Sequence, residues 1–466
     1  METETQEPLL GDGTDGKDKG KGKNVVPLLC SHLSSIAGLL FGYDQGMLSL
    51  LLVSPTFNAA FPGSASGYTK GLLTAILECG AFVGALAQSF ISDSFSRRYS
   101  FLFAVAVFVT GAVIQTVAQG YVSLLIGRAV GGTGVGMLSM VAPVYISEIA
   151  PREKRGSMLA LQELSVVLGI LLAFAVTLWT TCRWESRWQW KLPFALQLVP
   201  ALCLAVGVLY LPFSPRWLAM KGRLDEVKLT LCRLRGLPAD DERLREELEA
   251  IVDEAARAKN IELAWKDLFV SFRKRTAVAT GLMFFQQFVG INALVYYSPT
   301  LFAMLGLDDT WVLCSSGVLN ALQLVGVLSS LWTMDRFGRR PLLLVGSAVM
   351  FFCHVGVAGG PAALGVVLLF IYMVAFGAGW GPVPWAMPSE IFPSPLRAKG
   401  VAIATCSNWW NNFVVGLITP PLMESSAGAA YLFFATFCLL SGIWAWFCVP
   451  ETNGKTLEEV DLEFSI

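Results

Sequence analysis

Charge is scarce in this sequence. Asp, Glu, Lys and Arg make up 15% of its 466 residues, against about a quarter in soluble domains. The formal net charge is −1, so no nucleic-acid partner is expected. Histidine occurs only twice, which leaves no credible metal site. The ten cysteines stand mostly alone in apolar segments without metal-ligand spacing, and they read as small buried hydrophobes. No phosphate loop, nucleophile elbow or metal cluster occurs, so neither an enzyme nor a cofactor is expected. Residues 1–24 are polar, with no hydrophobic centre and no cleavage site. They read as a disordered tail and not as a signal peptide.

What is abundant is apolar sequence. Hydrophobic residues reach 54%, and the mean hydropathy is +0.58. Runs of about 20 apolar residues cross a bilayer as helices. Twelve are expected, at 25–50, 69–92, 99–119, 122–149, 156–180, 190–212, 276–305, 310–333, 341–359, 363–388, 397–420 and 429–449. The fold class is therefore an all-α membrane protein of twelve transmembrane helices. Residues 214–274 are the one large charged interruption, with apolar residues at helical spacing among acids and bases. The expected organisation is a 1–24 tail, a first bundle 25–213, a helical linker 214–274, a second bundle 275–450 and a 451–466 tail.

Basic residues gather on one side of these spans: in the tail, in the 2–3, 4–5, 8–9 and 10–11 turns, and in the linker. That side should be cytoplasmic, together with both termini. A repeat is visible as well. Asp93-Ser-Phe-Ser-Arg97-Arg98 resembles Asp335-Arg-Phe-Gly-Arg339-Arg340, and Ser147-Glu148-Ile149 resembles Ser389-Glu390-Ile391. Positions 335 and 93 differ by 242, as do 390 and 148, and as do Arg397 and Arg155. The halves are therefore parallel repeats of six spans, an arrangement in which two bundles rock about a central site. The repeated acids and arginines meet at the cytoplasmic span ends, where a latch that closes that side is expected. The alternative is that the bases serve topology alone.

Some polar residues lie deep in apolar spans, where they are costly without a purpose. Asp44 lies late in span 1. Arg128 lies near the start of span 4, at a similar depth, about five turns or ~27 Å before Glu148. An Asp44–Arg128 pair is expected. Glu78 in span 2 reads as a hydrogen-bonded structural acid, with a second proton site as the alternative, and His354 reads as a helix-packing or interfacial histidine. Span 7 carries Gln286, Gln287 and Asn292 within two helical turns, and Gly290 between them permits a bend. Amides both donate and accept, which suits a ring of hydroxyls.

Several motifs point in one direction. Gly127-Arg128-Ala-Val-Gly131-Gly132 and Pro143-Val-Tyr145-Ile-Ser-Glu148 lie in span 4, and Pro212-Phe-Ser-Pro215-Arg216 ends span 6. Gln286-Gln287-Phe-Val-Gly290-Ile-Asn292 lies in span 7, Gly381-Pro382-Val-Pro384-Trp385 in span 10, and Pro450-Glu451-Thr-Asn-Gly454 follows span 12. With these, residues 25–460 resemble the sugar porters of the major facilitator superfamily, and most of all fungal monosaccharide transporters. Ser89 and Ser96 stand where that family usually has glycine, Ser94 where it has a base, and Phe213 where it has glutamate.

The resemblance implies a site. Sugar contacts carry over onto Gln286, Gln287, Asn292, Trp385 and Trp380, with Phe41 lining the cavity from span 1 and Asn408 and Trp409 from span 11. Span 5 has Glu163 where the family has glutamine, with Gln162 just before it, and span 8 has Gln323 where it has asparagine. Glu163 can carry charge, which bears on substrate choice and on a proton stoichiometry otherwise set at one. Tyr296 and Tyr297 would close the outer side as a gate. Proton-coupled members have the Asp44 and Arg128 pattern, whereas uniporters commonly have Asn at the first position. The expected function is import of a hexose with a proton by a monomer in the lipid of the plasma membrane. Facilitative transport, a quinate or polyol substrate, and a non-transporting sugar sensor are the alternatives. Sensors of this family carry a longer tail after the last span.

Overall fold

A computed structural model describes residues 25–64, 67–151, 154–259, 264–455 and 464. The predicted tail 1–24 and most of 456–466 lie outside the described residues. All twelve expected spans are helical. Spans 1 to 6 are Val25–Leu51, Gly67–Phe95, Arg97–Val117, Tyr121–Ile149, Arg155–Arg183 and Trp188–Val208. Spans 7 to 12 are Arg273–Met304, Asp309–Phe337, Arg339–Gly359, Ala362–Ile391, Ser394–Ser425 and Ala427–Cys448. Among the described residues, eleven of these are apolar and long enough to cross a membrane. The other is span 11, 32 residues long. Its middle is spent on Ser407, Asn408, Asn411 and Asn412, which lowers its hydropathy for the sake of an inward polar face.

Close approach of backbones sets the bundle geometry. Gly38, Gly42 and Gly46 are four apart and share one face of span 1. A Cβ at Gly42 would come within 1.8 Å of the Val166 carbonyl oxygen on span 5. Small residues let helices in lipid gain dispersion contacts this way. Here they also fix where Phe41, Asp44 and Gln45 point. The two bundles meet where span 2 packs against span 11, span 5 against span 8 and span 1 against span 7.

Two spans are broken, and both breaks serve the interior. Span 7 is Arg273–Phe288 followed by Ile291–Met304, with Gly290 between them at φ +100, a value open chiefly to glycine. Span 10 widens into a π turn over Phe376–Trp380 before continuing as Pro382–Ile391. Pro384 has no N–H for the Trp380 carbonyl four residues back. Gln286 Nε2 supplies the missing donor, 2.8 Å from Trp380 O and 2.9 Å from Gly381 O.

The linker is helical over Pro215–Met220, Leu224–Arg235, Glu242–Lys259 and Trp265–Phe269. Trp217, Leu218, Val227, Leu231, Leu244 and Ile251 form its own small core. Arg235 pairs with Glu247 inside the linker and ties it to the first bundle through the Ile149 carbonyl that ends span 4.

The repeat is exact in backbone where it departs in residue. Ser96 has φ 88 and ψ 155, and Gly338, 242 positions on, has φ 88 and ψ 171. This region is essentially reserved for glycine and costs other residues of order 1–3 kcal/mol. Ser96 is the one non-glycine at positive φ among the described residues. Its compensation is slight: its hydroxyl accepts from Tyr99 N at 3.5 Å. Ser96→Gly is therefore expected to stabilise the protein by about 1 kcal/mol or more, read as a higher thermal unfolding midpoint in detergent. An unchanged or lower midpoint would show that the hydroxyl outweighs the strain.

Candidate functional site

A small polar cavity, about 30 Å³, lies between the bundles. Its lining takes Phe41 and Gln45 from span 1, Glu163, Val166 and Ile170 from span 5, and Gln286, Gln287, Ile291, Asn292 and Val295 from span 7. Gln323 of span 8, Phe376 and Trp385 of span 10 and Asn408 of span 11 complete it. The break at Gly290 is what lets Gln287 and Asn292, five apart, face one space: Asn292 Nδ2 donates to Gln287 Oε1. Asn408 Nδ2 donates to Gln286 Oε1 at 2.6 Å, so the four amides hold one another in two pairs. Gln323 Oε1 has no partner among the described residues.

Eight of the residues expected to touch a sugar thus lie together: Phe41, Glu163, Gln286, Gln287, Asn292, Gln323, Trp385 and Asn408. Three lie outside the lining. Trp380 is fully buried, and its indole N–H donates to Leu343 O and Ser347 Oγ on span 9. Trp409 donates to Ser139 Oγ and packs its ring edgewise on Phe41, 4.7 Å between centroids. Gln162 lies against Gly38 at the contact of spans 1 and 5. Sequence reasoning missed Gln45 and Phe376. Gln45 follows Phe41 by four residues, one helical turn, so the same face was the available signal.

Larger in volume is a groove of about 450 Å³ between spans 9 and 12, lined by Leu344, Phe351, Phe352, Leu439, Ile443, Trp446 and Phe447, among others. Phe352 and Phe447 are exposed there. Such an outward apolar wall suits lipid chains, and no acid or amide reaches it.

Beside the cavity, Asp44 and Arg128 form an ion pair, Nη1 to Oδ2 3.2 Å and to Oδ1 3.4 Å. Both side chains are at most 2% exposed. Arg128 is also held by span 2, donating to Leu73 O at 2.7 Å and Thr74 O at 3.5 Å. Tyr296 covers the same end. Its hydroxyl donates to Glu78 Oε1 at 2.7 Å and accepts from Gln45 Nε2 at 2.7 Å and from Asn412 Nδ2 at 3.3 Å. One phenol therefore bridges spans 1, 2 and 11. Tyr297 instead donates to Gly416 O within the second bundle. His354 and Tyr372 both reach the Val289 carbonyl, at 3.0 and 2.9 Å, beside the span 7 break.

At the linker side the repeated charges form two clusters. Arg97 meets Glu148 through Nε at 3.2 Å and Nη2 at 3.0 Å, and Asp93 at 3.1 Å. Arg339 meets Glu390 at 2.9 Å and Asp335 at 3.4 Å. Glu451 accepts from the backbone N–H of Arg339 and of Arg340, both at 3.0 Å, an anion at a helix N-terminus. Phe213, its counterpart, cannot do this, and the Arg98 guanidinium stacks over its ring instead. Among the described residues, Arg98 and Arg340 reach the carbonyls of Leu209 and Trp446 and not the acids. Arg397 is buried near Arg155 and Arg216, with Glu148 and Glu254 as the acids acting on it. The second cluster also joins the halves: the start of span 5 lies on it, with Gly156 beside Arg339 and Asp335.

Two repeated bundles around a small polar cavity, with charges clustered at one end, define a secondary transporter. Residues 30–464 match the sugar (and other) transporter family, and the chain belongs to it. It is similar to the high-affinity glucose transporter of Kluyveromyces lactis, 32% identical over 92% of this chain and 83% of that one. It is also 32% identical to the quinate permease of Neurospora africana, over 94% of this chain and 88% of that one. In fold it is similar to the proton:xylose symporter XylE bound to 6-bromo-6-deoxy-D-glucose, with TM-score 0.85 and 26% identity over 94% of this chain and 99% of that one. The inward open conformation of XylE from E. coli, also 26% identical, gives 0.73 over 93% of this chain and 98% of that one. The protein is a multi-pass membrane sugar transporter of the major facilitator superfamily, and not an enzyme.

Proposed function

We propose that the protein imports glucose or a related hexose together with a proton, by alternating access, across the plasma membrane, with the linker side cytoplasmic. The observation that carries this reading is the buried Asp44–Arg128 pair, placed next in sequence to Gln45, which lines the amide cavity. Ionised, Asp44 holds Arg128 and so holds spans 1 and 4 together. Protonated from outside, it lets them part. Proton and sugar must each prefer one conformation for the two to be linked.

A cavity of about 30 Å³ has room for about one water, so a hexose enters by parting the lining. Tyr296 is the proposed outer gate, and the linker-side clusters are the proposed latch of the state closed on that side. The better superposition on liganded XylE than on its inward open form supports a state with the linker side closed. An ionised Glu163 would repel the carboxylate of quinate, since both would share one cavity.

Reconstitution in proteoliposomes tests the reading. Adding glucose to a weakly buffered outer medium is expected to make that medium more alkaline, as protons follow sugar inward, and hexoses should compete better than quinate. Sugar uptake with no pH change would mean a uniporter. Gln287→Ala is expected to raise KM about 10–100-fold, because it removes an amide and strands Asn292 without its partner. An unchanged KM would move the sugar away from span 7.

A further inference from the structure

The proposed mechanism uses Asp44 and Arg128 and leaves Glu78 idle. Yet Glu78 is fully buried in the same cluster. One of its oxygens accepts from the Tyr296 hydroxyl, and the other, Oε2, has no partner among the described residues. Arg128 already lies along its helix. It donates to Thr74 O, and Thr74 and Glu78, four apart, share one face of span 2. The charged and titratable groups around Glu78 are Asp44 from span 1, Arg128 from span 4, and Tyr296 and Tyr297 from span 7. Span 11 contributes the neutral Asn412, through Tyr296.

With both acids ionised, two carboxylates share one guanidinium, which leaves one negative charge in excess. Burying an uncompensated charge is costly. An incoming proton removes the excess.

We infer that Glu78 is the second anion seat of Arg128, and that through Tyr296 it passes protonation of Asp44 to the gate over the sugar cavity. The inference rests on the symport reading above. The step is simple. A proton adds to the Asp44 carboxylate and gives the neutral acid. Arg128 keeps its charge and turns to the carboxylate that remains, Glu78. As both Glu78 oxygens turn to the forked guanidinium, the Tyr296 hydroxyl loses its acceptor on span 2, and the bridge between span 2 and the second bundle opens. Loss of the proton to the inside returns Arg128 to Asp44 and Glu78 to Tyr296. Glu78 is thus a positioning residue, with Asp44 the proton carrier.

The test is a pH profile of sugar uptake in proteoliposomes containing the full chain. In Glu78→Gln the cluster has one acid and one base, so a proton must now break a balanced pair. Its uptake midpoint is expected to move about one pH unit or more to the acid side, and Glu78→Asp should restore the wild-type midpoint. Coincident wild-type and Glu78→Gln profiles would overturn the inference and make Glu78 a plain hydrogen-bond acceptor. Should Glu78→Gln fail to fold, Tyr296→Phe carries the test. Glu78 then loses its donor and is free for Arg128 from the outset, so sugar affinity should no longer vary with pH. Affinity that varies as in the wild type would sink the proposal. If wild-type protein moves no proton with sugar, the symport reading fails and the inference with it. If it does, and the variants match wild type, the inference alone fails.

Discussion

Asp44→Asn is expected to abolish accumulation of sugar against its gradient while sparing exchange of sugar for sugar. The substitution keeps shape and removes the group that takes up the proton. Each proton moved inward across 100 mV supplies about 2.3 kcal/mol, equivalent to roughly 50-fold accumulation per 100 mV. Without a proton that figure falls to about one. Exchange needs only the amide cavity, whose lining does not include Asp44. Arg128 retains the Leu73 and Thr74 carbonyls, so its charge is not left without partners. The measurement is paired: uptake of labelled hexose under an imposed proton gradient, and counterflow with no gradient. Undiminished accumulation in the variant would remove Asp44 from the mechanism.

Arg339→Ala is expected to have the largest effect at the linker side. Arg339 is 4% exposed, and its guanidinium joins Glu390, Asp335, Asn453 and the Met334 carbonyl. Its removal strands two acids that already act on each other. Removing one partner of a buried ion pair costs about 3–5 kcal/mol. The start of span 5 lies on this cluster, so that cost falls on the state closed at the linker side. A shift of that size turns a dominant conformation into a minor one. Thiol labelling at Ser157→Cys, in a background without exposed cysteines, should become at least tenfold faster with Arg339→Ala. Arg340→Ala is the contrast. Among the described residues its guanidinium reaches only the Trp446 carbonyl and ring at the rim, worth about 1 kcal/mol. Equal effects of the two substitutions would argue that the bases serve topology and not a latch.

Much of the helical framework was legible because lipid makes it so. A backbone without water must satisfy its own hydrogen bonds, so each long apolar run becomes a helix. The observed spans accordingly start and end within a few residues of the expected ones. Span 11 was recognisable by position despite its three asparagines, whose polarity belongs to the cavity. The repeated Asp-Arg and Glu positions were legible because they recur at one spacing. Ser96 was visible as a departure, but its strain was not, since φ 88 is set by the packing of spans 2 and 3 and leaves no mark on the sequence.

The contents of the cavity were less legible. Gln45 followed Phe41 by one turn, and the periodicity contained it. Trp380 could not be assigned in the same way. Whether its ring enters the cavity or turns to Ser347 depends on the π turn before Pro382, and that turn alters the helical phase on which any sequence count relies. The Tyr296–Glu78 contact joins residues 218 apart, and no local pattern marks it.

The sequence by itself determined the twelve spans, the two repeats and the amides of span 7, and the matching depth of Asp44 and Arg128 made their pairing an expectation. These follow from the cost of polar groups in lipid, which acts on each residue where it stands. Only the tertiary structure decided which side chains share the cavity, that Tyr296 bridges the bundles, and that Glu78 and Asp44 both lie in the cluster around Arg128. Those depend on how broken helices rotate and how closely glycines let them approach, and such geometry is set by all the packed neighbours at once.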